Sequence, residues 1–188
     1  MRECHDFVVR SLAKLKSLSP SLVVLASSAT DYVNGTAAFY DPQTNEAVHS
    51  LEGHARLWQL GLNRIVEDLS TSGIPTMILH TIPHFGASDS WLPQTCPALK
   101  IFMDDCGITA DRRVEANQQQ TARDAEERAV AGVVNASTAD FTDDLCSRTL
   151  CAAQRGTVWL YRDSAHLSVD GSRSLTNRFA ELIGVHAT

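Results

Sequence analysis

Asp163-Ser164-Ala165-His166 is the segment whose residue types and spacing best suit chemistry. A carboxylate three residues before an imidazole can accept a hydrogen bond from the nearer ring nitrogen. The farther nitrogen is then free to take a proton from a hydroxyl. Those are the acid and base that an activated serine needs for covalent acyl transfer. Taken alone, D-x-x-H is also common on solvated surfaces, so its weight depends on its neighbours. Thr157 to Tyr161 (TVWLY) precedes it, a β-branched and aromatic run that reads as a strand. Leu167-Ser168 and Gly171 follow, leading to a last helix with Leu175, Phe179, Leu182 and Ile183 on one face and Gly184 at its end. Ser164, between acid and base, is awkwardly placed to be the nucleophile. No G-x-S-x-G elbow occurs anywhere in the chain.

The elements that must position this pair alternate between helix and strand. Val8, Leu12 and Leu15 predict an amphipathic helix over residues 4–18, ended by Ser19-Pro20. Ser21 to Ala26 (SLVVLA) reads as a short, fully buried strand of a parallel sheet. Its exit, Ser27 to Asp31, lies at the carboxyl edge, where open α/β sheets bind ligands. Residues 34–53 are rich in loop formers. Trp58, Leu62, Ile65 and Leu69 mark a helix closed by Gly73, and Pro75 to His80 a second strand. Residues 86–113 read as irregular, 114–131 as a polar helix, and Val133 to Ala136 as a third strand. Such alternation predicts a three-layer α/β domain with a mainly parallel sheet, with a single domain over residues 1–188.

Five cysteines are present, and four lie in close pairs: Cys96 with Cys106, and Cys146 with Cys151. Neither pair has the C-x-x-C spacing or neighbouring histidines of a zinc site. Two local disulfides are the favoured reading, which suits an extracytoplasmic protein; five reduced thiols in a cytosolic one is the alternative. One odd cysteine plus two bridges allows fifteen arrangements, so spacing leaves connectivity open. Cys4 has no neighbour in sequence.

His5, His49, His54, His80, His84 and His186 show no metal-site spacing, and surface or loop roles are expected for each. His80 and His84 flank a strand-exit loop, where a substrate contact is conceivable. Trp58 and Trp159 are expected to pack in the core. Trp91 is a candidate for stacking on a sugar, though covering the core is the blander role.

The 188 residues are 44% hydrophobic and 20% charged, enough for a real core and too mixed in sign for wholesale disorder. A net charge of −6, with no run of Lys and Arg, argues against nucleic-acid binding. No stretch approaches the length of a membrane span, and the first six residues are too polar to begin a signal peptide. If Met1 is the true start, a cytoplasmic product is expected.

The assembly C-x4-C…WLYRD-x-x-HLS-x-x-G resembles the end of the SGNH domain fused to bacterial acyltransferase-3 membrane proteins, which O-acylate cell-surface glycans. Glu3-Cys4 heading a helix, the strand Leu22 to Ala26 and the Pro83 loop extend the likeness over nearly the whole chain, but only the terminal motif is specific. The resemblance implies an SGNH hydrolase-like, flavodoxin-like fold in the periplasm or another extracytoplasmic site. It implies Asp163 as catalytic acid and His166 as base, with no metal or organic cofactor. Acyl donor, glycan acceptor and an upstream membrane acyltransferase domain are the implied partners.

Two departures accompany it. The family's nucleophile sits in a G-D-S-H motif after the first strand, and none occurs here, which suggests a domain lacking its first strand. Many members also carry G-x-N-D after the strand matching Leu22 to Ala26, whereas this strand exits as Ser27-Ser28-Ala29-Thr30-Asp31. Ser28 and Thr30 are the candidate oxyanion donors. Losing such a donor costs about 2.7–4 kcal/mol of transition-state stabilisation. The non-enzymatic alternative is a degenerate module that binds glycan or organises a membrane acyltransferase.

Overall fold

The computed structural model describes residues 2–85 and 108–184. Their contacts gather into two units, residues 1–81 with 119–139 and residues 82–118 with 140–188. The candidate disulfide Cys96–Cys106 and the candidate stacking residue Trp91 lie outside the described residues.

In the first unit, helix α1 (Arg2–Leu18) ends where Ser19 takes a left-handed φ of 44° ahead of Pro20. Strand β1 (Val23–Ala26) follows, then the short helix α2 (Ala29–Val33) and a hairpin of β2 (Phe39–Tyr40) with β3 (Ala47–Val48). Ser50 caps helix α3 (Leu51–Thr71), its hydroxyl accepting the Gly53 N–H at 3.1 Å. Strand β4 (Thr76–Leu79) completes this stretch. Strand β5 (Thr109–Asp111) and the first residues of helix α4 (Arg112–Val130) belong to the second unit; the rest of α4 and strand β6 (Ala136–Ala139) belong to the first.

The sheet runs β1-β4-β6, parallel throughout, with Val23 beside Thr76 and Thr76 beside Ala136. Leu12 and Leu15 of α1 and Ile65 and Leu69 of α3 pack with Val23, Leu25 and Ile74. Full burial of a side chain such as Leu69 contributes roughly 2–3 kcal/mol. A second cluster joins Ala29 and Val33 of α2, Ala55 and Trp58 of α3, and Ala122 and Ala125 of α4. The α/β class and parallel sheet expected from the sequence are therefore present.

Several local expectations need correction. Strand β1 is not fully buried: Val24 and Ala26 are exposed, because β1 is an edge of this sheet and only its Val23–Leu25 face is covered by α1 and α3. The third strand starts at Ala136 rather than Val133. Asn135 adopts a φ of 58°, which turns the chain before an extended run can begin, and Val134 is left exposed. The polar helix α4 has one buried stripe, Ala122, Ala125 and Ala129. Their small side chains let α4 approach α3 closely enough for the Asn63 amide to donate to the Ala129 carbonyl at 2.9 Å.

In the second unit, β5 pairs antiparallel with β7 (Leu150–Ala152), and helix α5 (Thr142–Leu145) lies between them in sequence. Only Val158–Trp159 of the predicted TVWLY strand is regular, forming β9 against β8 (Gln154–Arg155). The last predicted helix divides at Leu175 into α6 (Val169–Ser174) and α7 (Thr176–Leu182). Among the described residues, no helix is long and apolar enough to cross a membrane.

Candidate functional site

Asp163 and His166 meet as their spacing predicts. The His166 Nδ1–H donates to the Asp163 carboxylate, with Oδ1 at 2.9 Å and Oδ2 at 3.0 Å. Asp163 Oδ1 also accepts the backbone N–H groups of Ala165 at 3.0 Å and His166 at 2.7 Å. The carboxylate thus closes its own loop before it orients the ring. Partial burial raises the Asp163 pKa, but the N–H groups of Ala165 and His166 and the imidazole outweigh that, leaving it below the ordinary carboxylate value. The His166 ring is largely exposed, and Nε2 has no hydrogen-bond partner among the described residues.

The residues after the pair explain the rest of the motif. The Arg162 N–H donates to the His166 carbonyl at 2.9 Å, and Tyr161 bridges Leu167, so the loop is pinched at its neck. Ser168 caps α6: its hydroxyl accepts the Gly171 N–H at 2.8 Å and donates to the Trp159 carbonyl. A Cβ on Gly171 would lie 1.9 Å from the Leu160 carbonyl oxygen, so glycine is required where the helix start meets the strand exit.

Beneath the loop lies a buried group that the sequence did not reveal. The Phe85 N–H donates to the Ser164 carbonyl at 2.8 Å, and the Phe85 ring meets Tyr161 edge-on at 4.8 Å. The adjacent His84 N–H donates to the buried Glu115 carboxylate at 3.1 Å. Burial raises the pKa of Glu115, and burial together with the Glu115 charge raises that of Tyr161. Glu115 sits in a helix whose polar composition reads as solvated, which hid it. The aromatic Tyr161 was the one available signal.

Ser28 and Thr30 belong to the first unit, at the exit of β1. The Ser28 hydroxyl donates to Asp31, and the Thr30 N–H donates to the Thr81 hydroxyl at 3.3 Å. Thr30 Oγ1 is buried without a partner among the described residues.

Two histidines expected in surface or loop roles are core groups instead. His80, at the end of β4, is 6% exposed, and its Nδ1 lies 2.6 Å from Glu126 of α4, which is fully buried. His54 is 1% exposed and bridges the Val33 and Val48 carbonyls at 3.0 and 2.9 Å. Each is drawn inside by a specific partner that spacing could not show. Cys146 and Cys151 form a disulfide across an antiparallel bridge.

The model of the SGNH domain fused to AT3 domains matches residues 1–181. This chain belongs to that family. The crystal structure of a "putative acylhydrolase" from Bacteroides fragilis NCTC 9343 is similar to it, with a TM-score of 0.50 and 16% identity. The likeness covers 96% of this chain and 69% of that one, and at such identity it speaks for the fold. No curated protein sequence matches. For an SGNH domain, the disulfide and the family's fusion to AT3 domains agree with an extracytoplasmic, membrane-associated setting.

Proposed function

We propose that this SGNH domain supplies the acid and base for serine acyl transfer, as the carboxy-terminal part of a single domain whose nucleophile lies outside these 188 residues. The observation that carries the reading is the His166 Nδ1–H held by both oxygens of a stabilised carboxylate while Nε2 has no partner among the described residues. Nε2 takes the proton of a serine hydroxyl as its oxygen attacks an acyl ester. Asp163 stabilises the imidazolium that results. The imidazolium then returns the proton to the departing oxygen, and the acyl-serine passes its acyl group to a glycan hydroxyl or to water. The substrate reading is O-acetylation of cell-surface polysaccharide, at the outer face of the membrane, with an AT3 domain as partner.

Ser28 and Thr30 remain the candidate oxyanion donors; the Ser28 hydroxyl would have to leave Asp31 and the Thr30 N–H would have to leave Thr81, whereas the Thr30 hydroxyl is buried without a partner among the described residues. That engagement favours, as a second reading, a domain that binds glycan without turnover.

The test is a serine-directed phosphonate applied to a protein that joins these residues to a preceding G-D-S segment. Labelling of that serine is expected, with loss on His166→Ala. Asp163→Asn, which lets the ring take the wrong tautomer, is expected to slow turnover by up to about 10⁴-fold. Absence of labelling, or labelling indifferent to His166→Ala, refutes the enzymatic reading.

A further inference from the structure

Between the β2–β3 hairpin and α3 lies a groove of about 200 Å³, which uses none of the acid–base residues. One wall is Tyr40, Asp41 and Gln43; the other is Leu60, Gly61 and Arg64 on adjacent turns of α3. Its volume is below that of a drug-sized pocket and suits a single ring.

Gly61 is the informative residue. It stands at the middle of a 21-residue helix, where glycine costs stability relative to alanine. No close neighbour demands it: a Cβ there would meet nothing within 4 Å. Glycine is therefore not required for helix packing, and its effect is to keep the groove open.

Charge and shape indicate the occupant. Asp41 is already held by the Arg56 guanidinium at 2.7 Å and by the Gln43 N–H at 2.9 Å, and these bonds keep its carboxyl ionised below the usual range. Arg64 is exposed and has no hydrogen-bond or ion-pair partner among the described residues. The groove thus presents one uncompensated guanidinium, although the whole chain is acidic. Tyr40 is 48% exposed, offering an aromatic face beside the apolar edge of Leu60. An exposed ring, an amide and a free guanidinium form a set suited to a pyranose that carries a carboxylate.

We propose that this groove is a binding subsite for an acidic sugar residue, with Tyr40 under the ring, Gln43 on its hydroxyls and Arg64 on its carboxylate. The choice of a sugar rests on the glycan acceptor proposed above; the preference for an acidic one rests on Arg64.

The experiment uses the 188-residue chain, a glucuronic-acid-containing tetrasaccharide, and the neutral tetrasaccharide with glucose in its place. Calorimetry gives the affinities, and amide shifts at Tyr40, Gly61 and Arg64 locate the site. The acidic probe is expected to bind about tenfold more tightly than the neutral one, and Arg64→Gln to abolish that difference. Gly61→Ala is expected to raise the unfolding midpoint while weakening binding at least about tenfold, a pair of opposite signs that general destabilisation cannot produce. No binding, equal affinity for the two probes, or wild-type affinity in Gly61→Ala overturns the proposal. Phosphonate labelling of the G-D-S-containing protein does not depend on this groove, so either reading can fail alone.

Discussion

Replacing Gly171 with alanine tests how the Asp163–His166 loop is held. The new Cβ would lie 1.9 Å from the Leu160 carbonyl oxygen, 2.7 Å from its carbon and 3.0 Å from the Leu160 Cα. All three are backbone atoms, and close carbon–oxygen contacts usually stop near about 3.3 Å. Relief therefore requires the start of α6 to lift by more than about 1 Å. That movement breaks the Ser168 N–H bond to the Leu160 carbonyl, the Gly171 N–H bond to Ser168 Oγ, and the Ser168 hydroxyl bond to Trp159. Three such bonds are worth about 3 kcal/mol. Alanine returns about 1 kcal/mol of helix propensity, for a net loss of about 2 kcal/mol. Urea unfolding followed by circular dichroism measures it, and hydrogen exchange at the Arg162 and His166 amides should quicken as the neck of the loop loosens. A Gly171→Ala protein as stable as the parent, with unchanged exchange at both amides, would refute the reasoning.

Burial raises the Glu115 pKa above its ordinary 4.5, so its neutral form stabilises the fold below that pH and the contribution is lost as pH rises through the folded value. Glu115→Gln, which keeps an acceptor for the His84 N–H, is expected to be more stable than the parent at pH 7, with the advantage shrinking at pH 4; the reverse trend in urea midpoints would refute this. Asp163 has the opposite sign. Its pKa is lowered from 3.8, so its contribution is full above that pH and fades as pH falls through the folded value. Asp163→Asn should therefore cost stability only near neutrality, and little, because solvent screens the site. Replacing Cys146 and Cys151 together by serine opens a loop with a sequence separation of 5, at a cost of about 2 kcal/mol, measured by thermal unfolding with and without reductant. His80→Ala leaves Glu126 buried without its partner and is expected to cost about 3–5 kcal/mol, while His80→Leu with Glu126→Met should recover much of it.

What was legible in the sequence was local. The Asp163–His166 pair, the Cys146–Cys151 bridge and the major helices depend on residues at most a few turns apart, and spacing reports such contacts directly. The chemistry that escaped lies across long separations. Glu126 is 46 residues from His80, and Glu115 is 31 residues from His84. Both carboxylates stand in α4, whose remaining charged residues are exposed or partly exposed, so composition averaged them away. The alanine stripe of α4 was missed for a related reason. Alanine is a weak hydrophobic marker, and its value here is the close approach it permits. Strand β1 misled in the opposite direction, since an apolar run does not distinguish a central strand from an edge.

The locality of the acid–base pair also bears on the proposed function. Asp163 takes its hydrogen bonds from Ala165 and His166 and an ion pair at 3.5 Å from Arg162, and the loop around it is closed by Arg162, Tyr161, Leu167, Ser168 and Gly171. Phe85 adds one long-range tie, to Ser164. None of these bonds involves a nucleophile or an acyl substrate. The imidazole is therefore oriented by bonds of the loop itself, by free energy already spent in folding it. Such preorganisation lets an acid–base pair work with a hydroxyl supplied by a separate segment of chain. A pair whose orientation depended on contact with the serine itself would lose its geometry whenever that segment was absent.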